Sequence, residues 1–90
     1  MITGPFQIEE KFDIAGRGTV VVIAQTTSLP VGKVLTATLV FPDGSRMDVE
    51  AYKEWLLRRI PEPIEKEAYL LRRVEKAQVP EGSTIELCAI

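Results

Sequence analysis

Gly16-Arg17-Gly18-Thr19-Val20-Val21-Val22-Ile23 is the stretch whose reading decides the fold. Two glycines bracket an arginine at the foot of a β-branched run. Glycine admits positive φ and lets one backbone approach another closely, whereas Val-Val-Val-Ile favours a buried strand. A tight corner leading into a strand is therefore expected here. Upstream, Phe6 and Ile8, then Phe12 and Ile14, alternate with polar residues, the pattern of a half-buried strand entering that corner. Glu9 and Glu10 lie within it. Adjacent strand residues point to opposite faces, so these two carboxylates do not converge on one substrate.

Working outward, Gly and Pro punctuate the chain at Pro30-Val31-Gly32, Pro42-Asp43-Gly44, Pro61-Glu62-Pro63 and Pro80-Glu81-Gly82. Short strands between such signals predict a small all-β barrel or sandwich. Leu35, Ala37 and Leu39 alternate with Thr36, Thr38 and Val40, and Thr84-Ile85-Glu86-Leu87-Cys88 closes the chain in the same manner. Pro42-Asp43-Gly44-Ser45 reads as a hairpin turn in which Asp-Gly supplies the positive-φ positions. Two stretches read both ways. Residues 49–60 hold good helix formers, with Tyr52, Leu56 and Ile60 at i, i+4 and i+8, and residues 64–78 are rich in Glu, Lys, Ala, Leu and Arg. Local propensity makes these two helices and an α+β fold. Yet Val49, Ala51 and Lys53 also alternate with Glu50, Tyr52 and Glu54, which extends the hairpin from Ser45 as a strand. Periodicity leaves both open.

Ninety residues make one domain, 1–90, with one modest core, and 46% hydrophobic with 27% charged residues argues against disorder. A net charge of −2 exerts no global pull on nucleic acid, but residues 51–76 carry seven Lys/Arg against five Asp/Glu, a local basic stripe. Cys88 is the single cysteine, so no internal disulfide forms, and it reads as a small apolar residue of the last strand. No apolar run reaches the roughly 20 residues that span a bilayer, and no basic-then-apolar leader opens the chain. A cytoplasmic location away from membranes is expected. Histidine is absent, no Cys/His cluster offers a metal site, and Gly16-Arg17-Gly18 lacks the Lys-Ser/Thr ending of a phosphate-binding loop. These absences lead to the expectation of no cofactor, no metal, no GTP hydrolysis and no enzymatic activity.

Ile8-Glu9-Glu10-Lys11-Phe12-Asp13-Ile14-Ala15-Gly16-Arg17-Gly18-Thr19-Val20-Val21 resembles the opening of the β-barrel second domain of translation GTPases of the elongation factor Tu type. Further pieces are similar in the family's order: Val31-Gly32-Lys33 in a turn, Val49-Glu50-Ala51-Tyr52-Lys53, Leu70-Leu71-Arg72-Arg73-Val74, and the turn from Glu75 to Gly82. The resemblance implies that both ambiguous stretches are strands, in a small closed antiparallel barrel of about six strands. The GTPase domain of that family is missing here, so the chain is expected to be a stand-alone barrel. In the family this barrel helps hold the aminoacylated 3′ end of tRNA, with the terminal adenosine in a small pocket. The resemblance places that RNA-binding pocket at Ile14, Gly16, Val20, Glu50 and Leu70. Apolar side chains and a bare glycine can flank a flat base while a carboxylate accepts hydrogen bonds from a ribose hydroxyl. Ile14, Val20 and Leu70 also suit a barrel core; Glu50 does not.

The chain departs from the family at Tyr52 and Lys53 (a His-Arg pair), Lys66 (asparagine), Val22-Ile23 (Thr-Gly) and Arg73 (glycine). Lys53, Lys66, Arg72 and Arg73 are the expected phosphate contacts. Trp55-Leu56-Leu57-Arg58-Arg59-Ile60 reads either as a cap on the barrel or as a protein interface anchored by Trp55, Arg58 and Arg59. The expected function is a non-enzymatic, translation-related barrel that binds RNA, either a tRNA acceptor end or ribosomal RNA. The alternative is a protein-interaction module docking on a translation GTPase, the ribosome or another protein.

Overall fold

The computed structural model describes residues 2–25, 27, 29, 31–54 and 67–89. Six strands follow one another along the chain: β1 Ile2–Ile14, β2 Gly18–Ile23, β3 Val34–Val40, β4 Arg46–Glu54, β5 Glu67–Arg72 and β6 Thr84–Ala89. A single turn of 3-10 helix, Lys76–Gln78, lies between β5 and β6. The strands close into a barrel in the order β1-β2-β5-β4-β3-β6, and every neighbouring pair is antiparallel. The all-β reading is therefore correct and the two-helix alternative fails over residues 49–54 and 67–72. Cross-strand pairing places Ala51, Tyr69 and Leu71 fully inside, and this burial outweighs the local helix propensity of their neighbours.

Alternate residues of each strand fill the interior. Val21 and Ile23 of β2, Leu35, Ala37 and Leu39 of β3, Ala51 of β4, Tyr69 and Leu71 of β5, and Ile85 and Leu87 of β6 form one buried cluster. Burying each such side chain is worth about 1.5–3 kcal/mol. The 13-residue β1 serves two neighbours, pairing β6 through Ile2–Gln7 and β2 through Ile8–Ile14. Its register shifts between Ile8 and Glu10. This bulge reverses which residues face inward, because one extra residue flips a period-two pattern. Phe6 and Ile8 pack against the core, whereas Phe12 and Ile14 stand exposed on the outside. The sequence expectation of one continuous half-buried face is corrected by the bulge.

The glycine corner is as tight as expected. Arg17 N donates to Ile14 O at 3.0 Å, and Gly16 takes φ 78°. Gly18 has a stronger constraint: at φ 140°, a Cβ built on it would lie 2.1 Å from the Leu71 carbonyl oxygen. The β3–β4 turn forms where expected but by a different geometry. Gly44 N donates to Phe41 O at 2.9 Å and Phe41 N to Ser45 O at 2.8 Å, so only Gly44 takes positive φ. Asp43 instead accepts from Ser45 N at 2.9 Å and Ser45 Oγ at 2.6 Å, which pins it in a type I turn.

Two polar constellations close the barrel's ends. At the end where β2 begins, buried Thr19 donates its hydroxyl to Val74 O at 2.7 Å, while Asp13 Oδ1 accepts from Lys76 N at 2.8 Å. Lys11 Nζ donates to Val79 O, and Val74 and Val79 cap the core beneath. At the opposite end, Lys53 Nζ meets Glu67 Oε2 at 2.8 Å and donates to Thr27 O at 3.1 Å and Leu29 O at 3.0 Å. Glu67 Oε1 in turn accepts from Thr27 N at 2.9 Å and Tyr69 OH at 2.8 Å. Burial acts to raise the Glu67 pKa, but the Lys53, Thr27 and Tyr69 hydrogen bonds together outweigh it and hold the carboxyl below 4.5. Burial, aided by the neighbouring Glu67 charge, pushes the Tyr69 phenol above its ordinary range, so it stays protonated and donates.

Gly18→Ala is expected to cost about 2–4 kcal/mol, because a new methyl meets backbone rather than a movable side chain. Gly16→Ala, with open space but positive φ, is expected to cost only about 1 kcal/mol. Urea unfolding followed by circular dichroism ranks the two; equal losses would remove the close-approach argument. Glu67 adds a pH dependence. Its lowered carboxyl contributes stability that is fully present above pH 4.5 and is lost as pH falls through the folded value. Urea titrations at successive pH values are expected to show an acid limb that Glu67→Gln flattens, and an unaltered limb would assign it to other carboxylates.

Candidate functional site

The register fixes which side chains share the barrel's outer surface. One row runs Phe12, Val20, Leu70, Tyr52, Val34 across β1, β2, β5, β4 and β3. The next row runs Ile14, Gly18, Arg72, and Arg72 Nη1 reaches Glu50 Oε2 at 2.9 Å. Phe12, Ile14 and Val34 are exposed, while Leu70 is buried beneath its neighbours. The result is an apolar and aromatic strip bordered by arginines.

Three adjoining clefts open on this face. The first, about 520 Å³, is walled by Gly16, Arg17, Val31, Gly32, Tyr52, Leu70, Arg72 and Arg73. The second lies over the glycine corner and includes Ile14, Gly16 and Arg73. The third runs beside Val49 and Glu50 and is walled opposite by Arg73, Val74 and Gln78. Arg73 borders all three. Its φ of 60° makes it the one non-glycine among the described residues in the left-handed region. The turn out of β5 takes positive φ at this departure from the resemblance, which costs an arginine about 1 kcal/mol.

The charges around the first cleft differ in their commitments. The Arg72 guanidinium carbon lies 6.0 Å from the Tyr52 ring centroid and its Nη1 is bonded to Glu50. Arg17 meets Glu54 at 3.4 Å with both side chains well exposed, an arrangement worth little in water. The Arg73 side chain has no hydrogen-bond or ion-pair partner among the described residues.

The five pocket positions thus gather on one outer quadrant, but not in one cavity. Gly16 and Leu70 share the first cleft, Ile14 and Gly16 the second, and Glu50 lies in the third. Val20 sits beside Leu70 in the row, outside these clefts. Neither Ile14, Val20 nor Leu70 belongs to the interior cluster. Of the expected phosphate contacts, Arg72 and Arg73 are exposed on this face. Lys53 also borders the first cleft, but its side chain is only 12% exposed and its three donors already face Glu67, Thr27 and Leu29, which leaves none for phosphate. Lys66, Trp55, Arg58 and Arg59 lie outside the described residues. Sequence reasoning misses Arg17 and Tyr52 as site residues. Tyr52 is legible all the same, since it stands two residues beyond Glu50 on the same strand face.

Among the described residues, no group of three or more His, Cys, Asp or Glu side chains is placed to hold a metal ion. No helix among them is long and apolar enough to cross a membrane. Compared with protein-family models, curated proteins and solved structures, the chain finds no match. Arg73→Gly is expected to stabilise the fold by about 0.5–1 kcal/mol, the relief of positive φ exceeding the entropy glycine adds to the unfolded chain. A lower midpoint in chemical denaturation would show that Arg73 contributes contacts outweighing its strain.

Proposed function

We propose that the chain is a non-enzymatic binding module of the elongation factor Tu second-domain type, which takes the single-stranded end of an RNA on its outer face. The observation that carries this reading is the Tyr52 ring, with the Arg72 guanidinium 6.0 Å over it, in a cleft shared with Arg73, whose side chain has no partner among the described residues. An aromatic ring offers a platform for a base, a planar guanidinium extends it, and a free arginine neutralises phosphate. Glu50, held in place by Arg72, is the acceptor for a ribose hydroxyl or base edge. Leu70 and Gly16 provide the low wall that lets a base lie close. The resemblance to the tRNA-binding barrel supports the same face, and a tRNA acceptor end or ribosomal RNA fits this chemistry.

A second reading has its own support. Phe12, Ile14, Val31 and Val34 are large apolar residues exposed on the described surface, more in keeping with a protein partner than with phosphate. In that reading the barrel docks on a translation GTPase, the ribosome or another protein.

Fluorescence anisotropy with an RNA hairpin bearing an unpaired adenosine-ended 3′ tail tests the first reading. Binding is expected in the micromolar range or weaker, falling as salt rises. Tyr52→Ala is expected to weaken it by about tenfold or more through lost stacking. Arg73→Ala should lower affinity for all sequences and reduce the salt slope by about one. Glu50→Ala should weaken binding without changing that slope. Equal binding by parent and Tyr52→Ala or Glu50→Ala chains would remove this face from RNA recognition, and a pull-down that survives RNase would favour the protein partner.

A further inference from the structure

A barrel closes fully only where each strand is paired on both sides, and β4 is not. It pairs with β3 from Arg46 to Tyr52, but with β5 only from Ala51 onward. The cause lies in β5. Arg73 turns the chain at φ 60°, and the segment after it is held elsewhere, with Val74 O bound by Thr19 and Lys76 N by Asp13. The chain thus leaves β4 for the β1–β2 side. Opposite Arg46–Val49 there remains a groove, walled on its far side by Arg73, Val74 and Gln78.

The hydrogen-bonding phase of β4 is set by its turn. Phe41 N donates to Ser45 O, so Ser45 bonds toward β3. In an antiparallel ladder this alternates, which directs Met47 and Val49 toward β3 as well. The backbone N–H and C=O of Arg46 and Asp48 then face the groove. An exposed strand edge of this kind is a template for an added strand. Met47 and Val49 are half-buried and Val74 is buried, so an incoming chain finds apolar contacts on its inner side. On its outer side, Arg73 is the cation without a counter-charge among the described residues; Arg72 is already paired with Glu50, and Asp48 with the Thr38 hydroxyl at 2.6 Å.

We infer that the Arg46–Val49 edge of β4 is a docking site for an extended, partly acidic peptide segment of a partner protein, which adds as a short strand with apolar residues inward and a carboxylate on Arg73. Arg73, Val74 and Gln78 stand on the far side of the groove, so an incoming strand lies between them and the β4 edge. RNA does not supply the alternating donors and acceptors that a strand edge requires. The site shares Arg73 with the face proposed for RNA, but its backbone edge at Arg46–Val49 lies outside the Tyr52 cleft and stands whether or not that face binds RNA.

The probe is an acetylated, amidated peptide of about six residues, an ordinary strand length, in which valine alternates with glutamate and threonine. Titrated into the ¹⁵N-labelled full chain, it is expected to shift the amides of Arg46, Asp48 and Arg73 and to slow exchange of the Asp48 amide. Arg73→Ala is expected to weaken binding by about three- to tenfold, in keeping with loss of one charged contact. Asp48→Pro removes the groove-facing N–H, a substitution tolerated on a free edge, and is expected to abolish binding, whereas Asp48→Ala retains it. A backbone N-methylated version of the peptide leaves the protein untouched and is expected not to bind the parent chain. Shifts absent from Arg46–Val49, or equal binding of the methylated peptide, would overturn the proposal.

Discussion

Gly18 owes its place to an atom it lacks. With Leu71 O only 2.1 Å from where a Cβ would stand, β2 and β5 can lie in register only over a glycine. That register acts on both sides of the barrel wall. It puts Thr19 opposite Leu71 and beneath the exit of β5, so that its hydroxyl reaches the Val74 carbonyl. It also puts Arg72 beside Gly18, where no side chain crowds the guanidinium away from Glu50 and Tyr52. One close backbone approach therefore organises an end of the core and the outer face together.

The other end depends on a charge pair rather than on close packing. Lys53 and Glu67 side chains are each only 12% exposed, so either one alone would carry a heavy desolvation cost. Both are fully bonded, to each other and to Thr27 and Leu29, and no buried side-chain polar atom among the described residues lacks a partner. The network ties the connection after β2 to β4 and β5, and it removes one cation from the basic stripe that the sequence suggested. The positive charge offered to solvent on the candidate face comes from Arg17, Arg72 and Arg73, with Lys76 beside the glycine corner.

Much of this is readable in the residues. The glycine corner, the β3–β4 turn and the alternation of Leu35, Ala37 and Leu39 each speak for themselves, because they depend on local backbone geometry and a period of two. Residues 49–54 and 67–72 do not, since their strand state rests on pairing with segments distant in sequence. The resemblance only implies strands there; the pairing of β4 with β3 and β5 shows them. The inside-out placement of Phe12 and Ile14 is hidden for a different reason: a bulge has no side-chain signature in Ile8-Glu9-Glu10, yet it flips every position after it. Lys53 reads as a surface cation because a buried ion pair is invisible until its partner, Glu67, is brought alongside. Arg73 stands out as a departure from the resemblance, but only the backbone angle reveals that it takes the left-handed conformation that favours glycine.

The pairing of the first strand with the last bears on the order in which this barrel can form. β1 bonds to β6 through Ile2–Gln7, and β3 also bonds to β6, so the final strand is the keystone of both flanks. Emerging from a ribosome, the β1–β2 and β3–β4 hairpins can assemble early from local contacts. The barrel itself must wait until Thr84–Ala89 has been synthesised. Until then Leu35, Leu39 and the edge of β3 remain uncovered, an interval in which a nascent chain is exposed to mispairing. Topology of this kind favours slow folding and gives the last few residues of the barrel more influence over its birth than their number suggests.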